Sequence, residues 1–425
     1  MTGGQVGFTD LVMGRVVEPA VIRYHQWRGD PVAQWLTPAS KADPYPLYAT
    51  IRQRGFVRSA LGPYVTAGHR AAEAILRDRR FSASPTHQRG YAPPDFPEGD
   101  PRAELPPADL LTLDPPDHTR IRRLVSSAFT PKAIADLEPP IRATCERLLD
   151  QADGAAGFDL IDALAFPLPI AVICRLLGVP AHDQARFRAW GHVVAATLEP
   201  QTRRQAASDP RSAQLELAAY LRDLVGKRRA DPDDSLLSAL IAAEEEGERL
   251  TADELVSTAL LVLVAGFETT VNLIGNGTVA LLGEPAQWGR LRDEPALVPA
   301  AVEELLRFDS PVQMTSRTAT EDLDVDGTTI RKGTTVMVAI GGANRDPGAF
   351  DDPDLLRIDR PNASRHLSFS FGIHHCLGAP LARLEGRVAL EELTRRYPGL
   401  TLAGPPERRP LLVLRGFESV PVRAG

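Results

Sequence analysis

The sequence between Leu255 and Gly283 contains one charged side chain, Glu268. A membrane-spanning helix needs about 20 predominantly apolar residues, and this stretch nearly meets that requirement. Its apolar first part, Leu255 to Gly266, is nevertheless too short to cross a bilayer, and polar residues follow it. The pattern therefore predicts a long helix that is buried on all sides inside a protein. A carboxylate within such a helix is unfavourable unless it is paired or takes part in chemistry.

The overall composition is that of a folded protein without a membrane anchor. Hydrophobic residues make up 43% and charged residues 24% of the 425, which excludes a disordered chain and a polytopic membrane protein. The net charge of −7 does not suit non-specific binding of nucleic acid. Three cysteines are too few for a disulfide framework, and two of them, Cys145 and Cys174, lie on apolar helical stripes that predict core positions. Because residues 1–15 also lack a signal-peptide pattern, we expect a cytoplasmic protein.

Secondary-structure patterns predict a mainly α protein with a smaller β-rich part. Helical periodicity dominates from about residue 116 to residue 307 and returns near 378–397. Residues 83–107 are rich in proline, glycine and acidic side chains and are predicted to form a long loop. The predicted β-rich parts lie near 45–70, 312–340 and 408–422. Residues 1–42 are predicted to be an N-terminal extension of a single domain that spans 1–425.

Cys376 lies in a glycine-containing loop just before a predicted helix. The dipole and the free backbone N–H groups at a helix start stabilise a thiolate there, and the neighbouring glycines allow the backbone to approach a flat group. Two other interpretations stay open on this basis. The thiol could be incidental to a turn, or it could bind zinc with His374 and His375, although no Cys-x-x-Cys pair accompanies them.

The loop resembles the haem-binding segment of cytochrome P450, F-x-x-G-x-x-x-C-x-G. The matching positions are Phe369, Gly372, Cys376 and Gly378. In that family the cysteine is the proximal thiolate ligand of haem iron, so the resemblance implies that Cys376 binds the iron of haem b. It also implies that His374 contacts a haem propionate. Ser370 stands where the family more often has glycine, which is a departure inside the loop.

The segment from Ala265 to Thr270 looks like the family's [AG]-G-x-[DE]-T signature, on the helix that covers the distal face of haem. The chemistry needs a gap beside the iron for dioxygen, which the resemblance assigns to Ala265 and Gly266. It also needs an acid and an alcohol that deliver protons through water, which it assigns to Glu268 and Thr269. Taken alone, the same residues also fit a buried helix with a paired glutamate.

A second group of residues resembles the family's propionate-binding positions. The segment from Asp114 to Arg123 contains His118 and Arg122, whose i, i+4 spacing places them on one helical face, where they can reach the two carboxylates of haem. Arg317, which follows a predicted strand entry, matches a further propionate-binding arginine. Without the resemblance, the charged run is also typical of a solvated first turn of a helix.

Glu304 and Arg307 form an E-x-x-R pattern, which by itself is an ordinary i, i+3 pair on a helix. In the cytochrome P450 family this pattern marks a structural cluster of ion pairs that a later arginine completes. The resemblance implies that Arg360, in the irregular segment before the cysteine loop, is that third member.

The resemblance implies an apolar substrate pocket and a monooxygenase reaction. The expected lining residues are Val312, Met314, Leu412 and Val413, together with the segments 83–113 and 190–198. Because these positions are mostly apolar, we expect a hydrophobic substrate of middle size, such as a polyketide, terpenoid, steroid or fatty acid. The enzyme would use dioxygen to hydroxylate or epoxidise it, with secondary metabolism as an expected setting.

The sequence shows no G-x-G-x-x-G after a strand and no iron–sulfur set of cysteines. The resemblance therefore implies that electrons from NAD(P)H arrive through a separate ferredoxin and ferredoxin reductase, with Arg120 and Arg123 as candidate basic contacts, and that the protein is a monomer. A peroxygenase, a dehydratase and a non-catalytic haem binder are the alternatives. The Glu268–Thr269 pair favours dioxygen activation.

Overall fold

The computed structural model describes residues 18–93, 109–152, 157–195, 210–245 and 248–424. Most of the predicted loop 83–107 lies outside the described residues, as does the end of the predicted pocket segment 190–198. The described helices are α1 (Glu18–Trp27), α2 (Pro31–Trp35), α3 (Pro38–Ala42), α4 (Tyr45–Arg54), α5 (His69–Arg77), α6 (Asp117–Ala128), α7 (Pro131–Ala135), α8 (Glu138–Ala152), α9 (Pro167–Leu177), α10 (Gln184–Ala195), α11 (Pro210–Ala230), α12 (Leu236–Ala242), α13 (Ala252–Leu282), α14 (Pro285–Asp293), α15 (Val298–Phe308), α16 (Ile340–Ala343) and α17 (Ala379–Arg396).

Helix α13 is the predicted long apolar helix, and it runs through the largest hydrophobic cluster of the protein. Thr251 caps its N-terminus, and the side chain of Glu254 completes a capping box. The helix packs against α9, α10, α11, α15 and α17. Within the described part of the chain it is the one helix long and apolar enough to cross a membrane, yet 67% of its most apolar window is buried inside the protein. That burial is typical of a core helix, as the sequence pattern predicted.

The strands form one five-stranded sheet and several smaller sheets. The described strands are β1 (Val57–Arg58), β2 (Tyr64–Thr66), β3 (Phe81–Ser82), β4 (Phe158–Asp159), β5 (Glu244–Glu245), β6 (Glu248–Arg249), β7 (Met314–Ala319), β8 (Leu323–Val325), β9 (Thr328–Ile330), β10 (Thr335–Ala339), β11 (Thr401–Leu402), β12 (Glu407–Arg408), β13 (Phe417–Ser419) and β14 (Pro421–Arg423). The main sheet has the order β1-β2-β10-β7-β3, in which β2 and β10 are parallel and the other neighbours are antiparallel. Arg317 lies opposite Val336 in the β7–β10 ladder, so its backbone position is set by the centre of this sheet.

The N-terminal part of the fold differs from the sequence-based expectation. The region near 45–70 was expected to be β-rich, but helix α4 occupies its first ten residues and only the short strands β1 and β2 follow. Tyr48 and Ile51 face inward with helical spacing, and that apolar face favours the helix. Within the predicted extension 1–42, Trp35 is 1% exposed and its indole Nε1 donates to the hydroxyl of Tyr48 at 3.2 Å. Helix α2 therefore belongs to the folded body, because its residues Pro31, Ala33 and Trp35 are buried in it.

The C-terminal strands also differ in detail from the predicted part near 408–422. Strands β12 and β13 pair as a hairpin, but β14 leaves it and joins β11 and β4 in another sheet. The intervening segment from Arg409 to Gly416 has no regular strand structure. It passes instead along helix α13, where the hydrogen bonds of Asn276 reach the carbonyl of Arg415.

Three fully or almost fully buried charges join α15 to the irregular segment before the cysteine loop. The Nε atom of Arg307 donates to Oε2 of Glu304 at 2.6 Å, and its Nη2 atom donates to Oε1 at 2.7 Å. Arg360 donates from Nε to both oxygens of the same carboxylate at 3.0 Å. Arg307 also donates to the carbonyls of Asn344 and Pro353. The structure therefore brings together the three residues that the sequence analysis grouped as a structural cluster.

Glu385 of α17 is a buried carboxylate of a different kind. Its side chain is almost fully buried, and its Oε2 atom has no hydrogen-bond partner among the described residues. Burial raises the pKa of Glu385 to about 8, because a charge is disfavoured away from water. The folded protein thus holds this group protonated at neutral pH, whereas the unfolded chain ionises it at an ordinary glutamate pKa.

We expect Glu385→Gln to stabilise the protein increasingly as the pH rises. Because the folded-state pKa is raised, the wild-type protein loses stability as the pH rises from the unfolded to the folded pKa, by up to roughly 5 kcal/mol in total. The amide does not ionise and removes that loss. The measurement is the free energy of unfolding of both proteins, from denaturant titrations at a series of pH values from about 5 to about 9.

The matched control is Glu391→Gln on the same helix, where Arg142 and Arg387 pair the carboxylate. A stability difference for Glu385→Gln that stays constant across the series, or that the control reproduces, would contradict the assignment of a buried protonated carboxyl.

Candidate active site

Cys376 lies in the loop directly before α17. Its residue is exposed, whereas Cys145 and Cys174 are buried in the core as predicted. The backbone N–H of Cys376 donates to the carbonyl of Phe369 at 2.8 Å, which closes the loop just before α17. Burial raises the pKa of the Cys376 thiol, while the N–H groups of Gly378 and Ala379 bond the sulfur and oppose that rise. The loop therefore presents a sulfur that backbone dipoles help to hold as a thiolate.

Two residues in this loop adopt left-handed backbone conformations. Gly372 has φ +70°, and a Cβ there would lie 2.5 Å from the carbonyl oxygen of Leu76, so only glycine fits. Ser370 has φ +61°, a conformation that costs a non-glycine residue about 1 kcal/mol or more. Its buried hydroxyl has no partner among the described residues. The sequence departure from the family pattern thus falls at a position where the backbone favours glycine.

Four basic side chains converge beside the cysteine loop. The rings of His118 and His374 lie 4.4 Å apart, and both nitrogens of buried His118, together with Nε2 of His374, have no hydrogen-bond partner among the described residues. Arg317 is buried and donates to the carbonyl of Ser316. Arg122 donates to the carbonyl of His375 at 2.6 Å.

The electrostatics of this group favour an anionic ligand. Burial, followed by the charges of Arg317 and His118, lowers the pKa of His374 to about 3. Burial also lowers the pKa of Arg317 to about 10, and Asp114 is the neighbouring carboxylate that opposes this. Burial and the nearby Arg122 charge lower the pKa of His118. Two arginines beside two histidines whose ring nitrogens have no partner among the described residues fit a ligand that carries two carboxylates.

The two small residues of the distal motif have different surroundings. Ala265 is exposed on one side of α13, which we call its open side. A Cβ on Gly266 would lie 2.8 Å from Cδ1 of Ile173. Gly266 therefore allows α9 to pack closely against α13, and its place beside the gap stays a prediction.

The acid and the alcohol of the distal motif have different surroundings. Thr269 is half-buried on the same face as Ala265, and its hydroxyl donates to the Ala265 carbonyl at 2.7 Å. Glu268 is fully buried and forms an ion pair with Arg409. Arg409 also lies 3.4 Å from a carboxylate oxygen of exposed Glu418. Sequence reasoning missed Arg409, since no spacing rule links positions this far apart in the chain.

The four predicted pocket residues fall into two pairs. Met314 and Leu412 are buried in one hydrophobic cluster that also contains Trp35. Val312 and Val413 are half-buried, so these two valines offer more surface to a ligand. The candidate partner contacts also differ, because Arg120 is paired with Glu254 of α13 whereas Arg123 is exposed.

Comparison with known proteins identifies the class to which this site belongs. A family model described as cytochrome P450 matches residues 202–408. The chain is 42% identical over 395 residues to the vitamin D(3) 25-hydroxylase of Pseudonocardia autotrophica, covering 90% of this chain and 94% of that protein. It is 44% identical over 317 residues to the polyketide biosynthesis cytochrome P450 PksS of Bacillus subtilis, covering 74% and 77%. The solved structure of P450BioI with hexadec-9Z-enoic acid ligated acyl carrier protein matches with a TM-score of 0.84 at 37% identity, covering 91% and 99%.

The chain belongs to the cytochrome P450 family. It is a haem-thiolate monooxygenase, which activates dioxygen at a cysteine-ligated haem iron and hydroxylates or epoxidises a hydrophobic small molecule. The fold expectation is also confirmed, as a mainly α protein with small β-sheets.

We expect Cys376→Ser to abolish the long-wavelength Soret band of the reduced carbon monoxide complex. That band requires a thiolate on the iron, and the serine hydroxyl does not supply one. The measurement is the difference spectrum of the reduced protein with and without carbon monoxide. Cys145→Ser, a matched change in the core, should keep the band; a band that survives in Cys376→Ser would overturn the ligand assignment.

We expect the double variant Arg122→Gln, Arg317→Gln to lose haem. Each arginine would contribute a charge-assisted hydrogen bond of roughly 1.5–3 kcal/mol, so haem affinity should fall at least about tenfold per arginine. Haem content per protein after gel filtration measures the effect. A double change of exposed arginines, Arg70→Gln with Arg331→Gln, is the control, and equal haem content in both double variants would contradict the mapping.

Proposed function

We propose that this chain holds haem b between α13 and the cysteine loop, with Cys376 as the iron ligand. His118, Arg122, Arg317 and His374 would bind the two propionates. Phe369, Gly372 and Gly378 would shape the loop that supports the sulfur. The observation that carries this proposal is the pair of histidines, His118 and His374, whose ring nitrogens have no partner among the described residues and which lie beside the loop of the exposed Cys376. When bound, haem would supply the activation of dioxygen.

The chain's own residues would manage the protons of that reaction. The hydroxyl of Thr269 uses its hydrogen on the Ala265 carbonyl, which leaves its oxygen free to accept a hydrogen bond from water. Glu268 lies one residue earlier, fully buried and paired with Arg409. We assign to Thr269 the orientation of a water at the open side of α13, and to Glu268 the holding and release of a proton.

The substrate would be a hydrophobic molecule of middle size that contacts Val312 and Val413. Relatives named for polyketide biosynthesis and for hydroxylation of vitamin D(3) support hydrophobic substrates but span different skeletons. A screen of polyketides, terpenoids, steroids and fatty acids for a low-spin to high-spin shift of the haem tests this proposal. A shift that Val413→Asp weakens, with haem content unchanged, would support the placement of the pocket.

Electrons would come from NAD(P)H through a separate ferredoxin and ferredoxin reductase, and the protein would act as a cytoplasmic monomer. The Glu268–Thr269 pair supports dioxygen activation over peroxide use. The test compares product formation driven by NADPH and redox partners with product formation driven by peroxide alone. Turnover with peroxide only would favour a peroxygenase, and substrate binding with neither turnover would favour a haem binder.

We expect Thr269→Ala to uncouple oxygen consumption from product formation. Without the hydroxyl, the water that carries the proton is no longer oriented, and general acid–base assistance is worth roughly 10²–10⁴-fold. Substrate binding and haem reduction should change little. The measurement is product formed per NADPH consumed, with peroxide quantified in parallel.

Thr269→Ser retains the hydroxyl and should retain most of the coupling. The next residue, Thr270, donates its hydroxyl to the Gly266 carbonyl. Thr270→Val removes that hydroxyl and serves as the positional control. Wild-type coupling in Thr269→Ala, or equal uncoupling in Thr270→Val, would show that the assignment to Thr269 is wrong.

A further inference from the structure

A cleft of about 510 Å³ lies where α4, α13, α15 and the segment from Arg409 to Gly416 meet. The described residues that line it include none of the proposed haem contacts or substrate-pocket residues. Four arginines line this cleft; these are Arg52, Arg345, Arg408 and Arg415. Four cations around one space attract an anion unless nearby carboxylates cancel their charge.

Asp309 is the buried carboxylate of this cleft, and both of its oxygens already accept hydrogen bonds. The hydroxyl of Tyr45 and Nε of Arg415 donate to Oδ1 at 2.7 Å, and Nη2 of Arg408 donates to Oδ2 at 2.9 Å. Burial alone would raise the pKa of Asp309, but the charges of Arg415 and Arg408 lower it to about 2. One carboxylate thus serves two arginines, which leaves one positive charge of this group without a counter-charge.

The other two lining aspartates lie at the mouth of the cleft. Asp43 and Asp354 are both exposed. Asp354 accepts from Nη1 of Arg345 at 3.2 Å, but 73% of its side chain is exposed, and such a surface pair contributes little. Water also screens exposed charges more strongly than buried ones. The cleft is therefore positive at its buried floor and negative at its rim.

Arg415 presents an unused donor at the floor of the cleft. The residue is only 8% exposed and lines the cleft. Its Nε donates to Asp309, and its Nη1 donates to the carbonyls of Lys41 and Ala42. Its Nη2 has no hydrogen-bond partner among the described residues and is not fully enclosed. A guanidinium that the fold holds in place, with one nitrogen still available, is suited to bind an oxyanion.

Arg52 of α4 supplies a second available nitrogen to the same cleft. Its Nη1 donates to the carbonyl of Gly342 at 2.9 Å, whereas its Nε lies 3.9 Å from Oδ1 of Asp346, beyond hydrogen-bond distance. The oxygens of Asp346 accept from the backbone N–H groups of His69 and Gly348. Nη2 of Arg52 therefore has no hydrogen-bond partner in the described part of the chain.

Apolar side chains complete the lining of the cleft. Ala49 of α4, together with Val279 and Ala280 of α13, lines it, and all three are half-buried. A bare inorganic anion would leave these side chains against water, whereas a short hydrocarbon group would cover them. The volume of the cleft also falls within the range of about 300–1,000 Å³ that is typical of sites for small organic ligands.

We propose that this cleft binds a small organic anion. The carboxylate or phosphate group of the ligand accepts hydrogen bonds from the Nη2 atoms of Arg52 and Arg415. Its carbon skeleton lies against Ala49, Val279 and Ala280. The inference does not rest on the proposed function, because the cleft shares no residue with the proposed haem site. A ligand there contacts α4, α13 and the segment that carries Arg415, so it stabilises the folded protein.

The first test measures binding to the haem-loaded protein by calorimetry, at an ionic strength held constant with chloride. The probes form two matched pairs, phenyl phosphate with inorganic phosphate and benzoate with acetate. In at least one pair, we expect the phenyl compound to bind at least about fourfold more tightly than the bare anion, because it also covers apolar surface. The pair that binds more tightly identifies the anionic group. Failure of both phenyl compounds to bind, or equal affinity within both pairs, would overturn the proposal.

Arg52→Gln should weaken binding of the tighter phenyl compound at least about tenfold, because one charge-assisted hydrogen bond is lost. Arg54→Gln is the matched control, since Arg54 is exposed on the same helix and does not line the cleft. An equal loss in the two variants would contradict the site. Binding that Arg52→Gln leaves unchanged, including binding that shifts the spin state of the haem, would place the probe elsewhere and would also contradict it.

The second test locates the anion in the wild-type protein and needs no variant. Crystals of the haem-loaded protein are soaked with 4-bromobenzoate or 4-bromophenyl phosphate, whose bromine is located by its anomalous scattering. The bromine should lie inside the cleft, with the anionic group about 3 Å from the Nη2 atoms of Arg52 and Arg415. Bromine at other places only, or no bromine at all, would show that the cleft does not bind organic anions.

Discussion

Three buried charges hold the part of the chain on which the cysteine loop depends. Between Asn344 and Arg360 the structure has no long helix or strand, so hydrogen bonds between regular elements do not fix its path. Arg307 and Arg360 instead donate to several carbonyls of this segment while both pair with Glu304. Taking an ion out of water costs several kcal/mol, and this saturation of donors and acceptors offsets that cost. The position of the loop thus follows from electrostatics within the core.

The basic groups near the cysteine loop differ from the cluster of Glu304, Arg307 and Arg360, because two of them have ring nitrogens without a hydrogen-bond partner among the described residues. Arg307 and Arg360 end on carboxylate or carbonyl oxygens, whereas His118 and His374 keep unpartnered nitrogens among the described residues. Burying polar nitrogens in this state costs stability unless a ligand supplies their hydrogen bonds. The same physical rule therefore separates a charge cluster that maintains the fold from one that fits an anionic group. It also implies that binding of that group would stabilise the folded protein.

The sequence predicted features that depend on residues close together in the chain. It did not predict features that depend on residues far apart in the chain. The loop around Cys376 and the long apolar helix are local patterns, and the structure has both. The pairing of Arg409 with Glu268 joins residues from separate parts of the chain, and no periodicity predicts it. The close approach of Ile173 to Gly266 was not predicted either, because a motif gives the order of residues but not which helix packs against each one. The β-rich expectation near 45–70 failed in its first part, because Tyr48 and Ile51 give α4 a buried apolar face.

Each face of helix α13 has different surroundings. This explains why polar and small residues interrupt its apolar sequence. Ala265 and Thr269 lie on the open side, where small and hydroxyl side chains leave space. Gly266 admits Ile173 of α9, and a larger residue there would push the two helices apart. Glu268, with the asparagines that follow it, faces the C-terminal segment. A uniformly apolar helix would satisfy burial alone. The polar and small residues make this stretch a poor membrane span. The same residues allow a core helix to serve as one wall of an active site.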